Sequence, residues 1–225
     1  FVASPGIWAL RYLARNKDPG NGKMWRGTAV EAGYAVYLRR GNLEEAFDAA
    51  VTTYWLNADE NGPRNDAARE DAQLIEPMLS QAVLWTPPSA LNATQIKVEY
   101  FIDDVPVPVM GYIDLAFEGL DVDLKTTTRL PSKPSDAHIR QVSLYRAARK
   151  RAGGLLYVTD KRHAYYEVDD DMMAGAMTEL SDAAKKLSRL LGAFDKADDI
   201  LEALPIDYSD FRAPKQRVAV RAAAS

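Results

Sequence analysis

Asp114 and Asp123 flank a Glu118-Gly119 pair, and Lys125 follows Asp123 by two residues. If Glu118 and Gly119 form a two-residue hairpin turn, Phe117 faces Leu120 and the register runs back until Asp114 lies opposite Asp123. Side chains alternate along a strand, so Lys125 shares the face of Asp123 while Val122 and Leu124 turn to the other side and pack. Opposed like charges destabilise a sheet unless something positive sits between them. A hard divalent cation meets that need. Mg²⁺ takes oxygen ligands at roughly 2.0–2.1 Å, commonly one or two carboxylates with phosphate oxygens and water. Such an ion polarises a phosphoryl oxygen and acidifies a bound water, and a neighbouring ammonium orients that water or stabilises developing charge. This is machinery for phosphodiester hydrolysis. The plainer reading leaves the two acids on the surface, with Lys125 paired to one of them.

A helix over Ser135 to Arg151 places Asp136 near its start and His138, Gln141 and Tyr145 on one face, at spacings of three and four. Beside the carboxylate hairpin, Gln141 and Tyr145 would orient the site or touch a DNA backbone. The chain carries 28 Lys+Arg against 32 Asp+Glu, a formal charge of -4, so bulk charge announces no nucleic acid. Its distribution says more: Lys125 to Arg162 holds ten basic residues and two acidic ones, +8, leaving -12 for the rest. That island is either a solvated helix face or a strip facing phosphates.

Composition excludes several classes. With 47% hydrophobic and 27% charged residues and a mean hydropathy of -0.29, the chain reads as a packed globular domain. It has no Cys and two His, so disulfides, thiolate catalysis, Cys-ligated zinc and iron-sulfur clusters are out, and any metal must be held by oxygen. No apolar run approaches the roughly 18 residues of a membrane span, and Phe1 to Leu10 lacks the make-up of a signal peptide. An intracellular protein with no membrane partner is expected, and a first residue other than Met suggests trimming.

The elements that must position these residues follow from periodicity and breakers. Met24 to Arg39 and Leu43 to about Trp55 read as helices, the second capped by Asn42; Ala67 to Leu84 reads as a third, kinked or ended at Pro77. Thr94 to Ile102, Val107 to Phe117 and Leu120 to Thr126 read as an antiparallel meander, and Leu155 to Thr159 and Ala164 to Val168 as short strands. Asp169 to about Leu204 is a long acidic helical region, in two helices meeting near Gly192. The class is α+β, an α/β/α-like sandwich with a mixed central sheet flanked by helices. One domain over residues 1–210 and a basic tail over 211–225 are expected.

Gly111-Tyr112-Ile113-Asp114, Asp123-Leu124-Lys125-Thr126 and Gln141-Val142-Ser143-Leu144-Tyr145 resemble, in order, the D, DxK and QxxxY elements of the PD-(D/E)xK nuclease superfamily in its RecB-like branch. Trp25-Arg26-Gly27-Thr28-Ala29-Val30-Glu31 resembles the helical motif that precedes the sheet there, and Ser4-Pro5 its N-terminal start. The similarity runs from about Ser4 to Arg151. Glu31 stands where many RecB-like members have His, which resembles the phage lambda-type recombination exonucleases; relatives with a four-Cys iron-sulfur cluster are excluded.

The resemblance implies a restriction-endonuclease-like core. It makes Asp114, Asp123 and the Leu124 carbonyl ligands of Mg²⁺ or Mn²⁺, Glu31 the holder of a second ion or its water, and Lys125 the group that activates the attacking water. Gln141 and Tyr145 would support the site, and Arg26, Arg129, Lys133, His138 and Arg140 would meet the nucleic acid. The expected activity is metal-dependent DNA hydrolysis from an end, in phage-type recombination or repair, in bacterial or infected-host cytoplasm. A single-strand annealing or recombination partner and a homo-oligomeric ring come with it. A structure-specific endonuclease, a non-catalytic nucleic-acid-binding subunit and a hydrolase of small phosphate esters are the rivals. Glu99 is expected to be surface only.

Overall fold

The computed structural model describes residues 4–15, 20–61 and 65–205. Their elements run α1 (Pro5–Tyr12), α2 (Gly22–Arg40), α3 (Leu43–Asn61), α4 (Asp66–Gln73), α5 (Ile75–Val83), β1 (Ala93–Tyr100), β2 (Val109–Ala116), β3 (Leu120–Thr126), α6 (Asp136–Arg149), β4 (Ala152–Val158), β5 (His163–Glu167), α7 (Asp170–Gly192) and α8 (Ala197–Ala203). The chain divides into two compact units: Gly20–Asp103 with Val107–Ser181, and Phe1–Pro19, Asp104–Pro106 and Asp182–Ser225. In the smaller unit α1 packs against α8. The expected basic tail, 211–225, lies outside the described residues. No helix among the described residues is long and apolar enough to cross a membrane.

The larger unit is built on one five-stranded sheet in the order β1-β2-β3-β4-β5, with β3 and β4 parallel and the other pairs antiparallel. α6 is the crossover that parallel strands require. The expected α+β sandwich with a mixed sheet is what forms. One face carries α2 to α5, which close over Leu115, Phe117, Val122, Leu124, Leu156 and Val158. The other carries α6, whose Val142, Leu144 and Tyr145 pack on Val98, Ile113, Leu155 and Tyr157. Each such buried aliphatic contributes about 1.5–3 kcal/mol, which anchors β3 on both sides of Asp123.

Local chemistry sets the helix ends. The Asn21 side chain accepts from the backbone N–H of Lys23 and Met24 to start α2, and Asn42 accepts from Glu44 and Glu45 to start α3. Ser135 Oγ accepts from His138 N at 3.3 Å and opens α6. The expected third helix is two, α4 and α5, and the break falls at Leu74 rather than Pro77. Pro77 sits in the first turn of α5, where its missing N–H has no helical partner to lose. Between β2 and β3 the turn is the two-residue one: Phe117 N donates to Leu120 O at 2.8 Å and Gly119 takes φ 75°, which a side chain would resist.

Candidate active site

The hairpin register is Leu115↔Val122 and Ala116↔Asp121. The ladder ends there, so Asp114 and Asp123, one step on, share no backbone pairing. Asp114 Oδ2 instead accepts the Leu124 N–H at 2.9 Å. Lys125 Nζ lies 2.6 Å from Asp123 Oδ2. Asp123 is fully buried between Val122 and Leu124, both on the α2–α5 face, so its own side chain is driven to the α6 face. Lys125 is thus the partner of Oδ2, while the other carboxylate oxygen, Oδ1, is buried with no hydrogen-bond donor beside it among the described residues.

β1 and β2 do not keep a regular alternation at this point. Gly111 and Ile113 face α6, whereas Leu115 and Phe117 face α2–α5. On β1, Thr94 accepts from Arg39 of α2, while Ile96 packs on the α6 side. The reversal falls on Gln95 and Asp114, the two residues skipped between the pairs Thr94↔Leu115 and Ile96↔Ile113. Gln95 has φ 52°, a left-handed backbone that costs a residue with a Cβ roughly 1–2 kcal/mol. Its carboxamide Nε2 donates to Glu31 Oε1 and, at 3.4 Å, to Asp114 Oδ1. Gln95 was not anticipated; only its place opposite Asp114, which needs the β1–β2 register, points to it.

Three carboxylates and one ammonium therefore share a partly dry corner. Burial pushes Asp114 up to about 8, with the charges of Asp123 and Glu31 adding to it and Lys125 and the Leu124 N–H opposing. Burial likewise raises Glu31 and Asp123. Burial alone would lower Lys125, but the Asp123 charge, the contact with it, Asp114 and Glu31 outweigh that and hold it cationic. These acids cannot all ionise cheaply without further positive charge. Among the described residues no three acidic or imidazole groups converge tightly enough to make a finished cation cage. The donor set is nonetheless all oxygen, with Asp123 Oδ1 buried and lacking a hydrogen-bond partner among the described residues, and it fits a hard divalent cation.

α6 holds this corner from the far side. Gln141 Nε2 donates to Tyr145 Oη at 2.7 Å, and Tyr145 Oη donates to Tyr112 O at 2.6 Å, two residues before Asp114. Arg129 and Lys133 line a cavity of about 580 Å³ together with Lys125, Asp136, His138 and Tyr157, and neither has an ionic partner among the described residues. His138 Nδ1 lies 2.6 Å from Tyr157 Oη, and burial, then Lys125, pulls it down to about 4, so it meets the groove as a neutral ring.

Two of the residues expected to meet phosphates have carboxylate partners instead of open surroundings. Arg26 is only 2% exposed and holds an ion pair with Asp71 of α4, because its helix face turns into the α2–α5 layer. Arg140 is bound to Glu179 of α7 at 2.6 Å. Glu99 pairs with Lys97 at the surface, as expected.

The family profile of the PD-(D/E)XK nuclease superfamily matches residues 1–217. The chain belongs to the PD-(D/E)XK nuclease superfamily. The crystal structure of a candidate exonuclease from Eubacterium rectale aligns with a TM-score of 0.54 and 10% identity, over 84% of this chain and 71% of that one. That likeness is one of fold. The structure of LHK-Exo in complex with dAMP aligns at a TM-score of 0.29 and 12% identity, over 76% of this chain and 98% of that one, too low to argue from. No curated protein matches the chain. The superfamily fold is restriction-endonuclease-like, and the three-layer unit around β1–β5 is its form in this nuclease.

Proposed function

We propose that this nuclease is a Mg²⁺- or Mn²⁺-dependent deoxyribonuclease, and within that an exonuclease of the RecB-like, phage recombination type. The observation that carries the reading is the meeting of Asp114, Asp123, Glu31 and Lys125, the last of which also lines a groove with Arg129 and Lys133, cations without an ionic partner among the described residues. A hydrolase of small phosphate esters would not need that groove. Glu31 in the position of a RecB-like His supports the exonuclease subtype.

Asp114, Asp123 and the Leu124 carbonyl would hold one divalent cation, with Glu31 beside it, and the bound ion would supply charge stabilisation to the phosphoryl oxygens and acidify water. Lys125, cationic and braced by Asp123, donates N–H bonds: it orients the attacking water and stabilises charge that develops on the phosphoryl group. It does not serve as the base. Gln141 and Tyr145 fix the β2 backbone from which Asp114 projects. Arg129 and Lys133 bind backbone phosphates, so affinity falls with salt.

The test uses linear and closed-circular duplex and single-stranded DNA with Mg²⁺, Mn²⁺ or EDTA, and the Asp123→Ala and Lys125→Ala variants. Loss of linear DNA alone, from its ends, abolished by EDTA and in both variants, is expected. Cleavage of closed circles makes it an endonuclease, and salt-sensitive binding without product under either metal makes it a non-catalytic subunit.

A further inference from the structure

Among the described residues, the side chain hydrogen-bonded to both Glu31 and Asp114 is uncharged. Lys125 covers Asp123, and the other two acids are bridged by the Gln95 carboxamide, which offers two N–H donors and no positive charge. The bridge is built in at a cost in backbone strain, since Gln95 takes its left-handed φ at the step where β1 and β2 exchange their faces. A side chain that only filled space would need neither that backbone nor two carboxylate partners from different elements, α2 and β2.

We propose that Gln95 is a placeholder for the divalent cation: its amide holds Glu31 and Asp114 together in the cation-free protein and lets go when the ion binds. This rests on the metal-dependent reading above and adds the residue that sets the affinity of the ion. Glu31 Oε1 and Asp114 Oδ1 both turn a lone pair toward the Gln95 Nε2, and a donor and a cation held between these two oxygens cannot occupy the same lone pairs. Binding must therefore break both amide bonds, and the protein binds the ion more weakly than the bare carboxylates would. In exchange the cation-free site keeps its shape instead of springing apart by repulsion. Gln95 is a positioning residue here, with no contact to the scissile bond required.

The experiment measures Mn²⁺ binding directly, by the electron spin resonance signal of the free ion, and thermal unfolding with and without Mn²⁺, in the full chain and in Gln95→Leu and Gln95→Gly. Gln95→Leu keeps the reach and removes the amide; Gln95→Gly removes the amide and accepts the left-handed backbone, so it reads the same effect should the first fail to fold. Both are expected to bind Mn²⁺ roughly 10- to 150-fold more tightly than the wild type, the worth of a hydrogen bond to a charged group. Gln95→Leu is expected to unfold at lower temperature only without the ion. Unchanged or weaker Mn²⁺ binding in the two variants overturns the placeholder, weaker binding making Gln95 part of the ion's own shell. If the wild type binds no Mn²⁺, or binds it undiminished in Asp123→Ala, the metal-dependent reading fails and takes this inference with it. If Asp123→Ala abolishes binding and both Gln95 variants match the wild type, the placeholder alone fails.

Discussion

Asp114 replaces a strand-to-strand bond with one of its own: its Oδ2 accepts the Leu124 N–H at 2.9 Å, where the β2–β3 ladder ends. The carboxylate is thus inserted between two strands, and the main chain of β3 holds one of its oxygens still. Asp114→Asn keeps an oxygen for Leu124 and removes the charge. Burial and neighbouring acids already disfavour that charge, so the variant is expected to fold with a thermal midpoint at or above wild type in EDTA. Its cleavage rate should drop by about 100-fold or more, the scale of losing a group that stabilises transition-state charge. Assay and melting curve are read on the same preparation; wild-type cleavage would remove Asp114 from the site.

Arg26 acts on stability. Its guanidinium is buried and matched by Asp71, and an unmatched buried charge is among the costliest defects a core can carry. Asp71→Ala leaves that charge behind and is expected to cost roughly 3–5 kcal/mol in urea unfolding. Asp71→Ala with Arg26→Met should recover a large part of that loss. DNA affinity of the double variant, measured well below its unfolding midpoint, should match wild type; a fall in affinity and in its salt slope would return Arg26 to the phosphate contacts.

The hairpin was legible because its turn is local: Glu118-Gly119 sets the register through neighbours in sequence, and Leu115↔Val122 follows. Asn42, Ser135 and the junction near Gly192 were legible for the same reason. What pairs across long separations was not. Arg26 and Asp71 are 45 residues apart, and nothing in either segment distinguishes a buried guanidinium from a solvated one. The basic island divides on the same ground: Arg129 and Lys133 have no ionic partner among the described residues, whereas Arg140, Arg146 and Arg149 are taken by Glu179, Asp170 and Asp121. Simple alternation also failed to foresee the reversal at Gln95 and Asp114, because a single left-handed residue undoes a period of two.

His138 sets a pH limit. Burial, then Lys125, lowers it from 6.5 to about 4, so the folded protein binds its proton less readily than the unfolded chain does. Its contribution to stability is complete above about 6.5 and is lost as pH falls toward about 4. Asp114, raised to about 8, slopes the opposite way over the same range, so the comparison must be with a variant rather than with neutral pH. His138→Gln is expected to flatten the acid side of the melting-temperature profile relative to wild type. Nuclear magnetic resonance of the imidazole should give a midpoint well under 6.5; an ordinary midpoint with parallel profiles would make His138 a cationic groove residue after all.

Gly111 ties the first motif to the last. A Cβ built on it would lie 2.6 Å from Tyr145 Cε1, so the ring of the QxxxY tyrosine rests on bare backbone of β2, three residues before Asp114. The same tyrosine donates to Tyr112 O, which makes one contact patch out of packing and a hydrogen bond. Gly111→Ala must push the ring away, and with it the bond that holds β2 in place. Overpacking of this kind costs typically about 1–3 kcal/mol, whereas Tyr145→Phe leaves the ring seated and removes only the hydroxyl, about 1 kcal/mol. Gly111→Ala is therefore expected to lose more stability in urea than Tyr145→Phe, and to lower the cleavage rate at saturating DNA through a displaced Asp114 while DNA affinity holds. Gly111→Ala combined with Tyr145→Ala should relieve the clash, so the two changes together cost less than their sum. Strict additivity in that double-mutant cycle would mean that Gly111 and Tyr145 are not in contact, and the account of why a glycine stands three residues before the aspartate would fall with it.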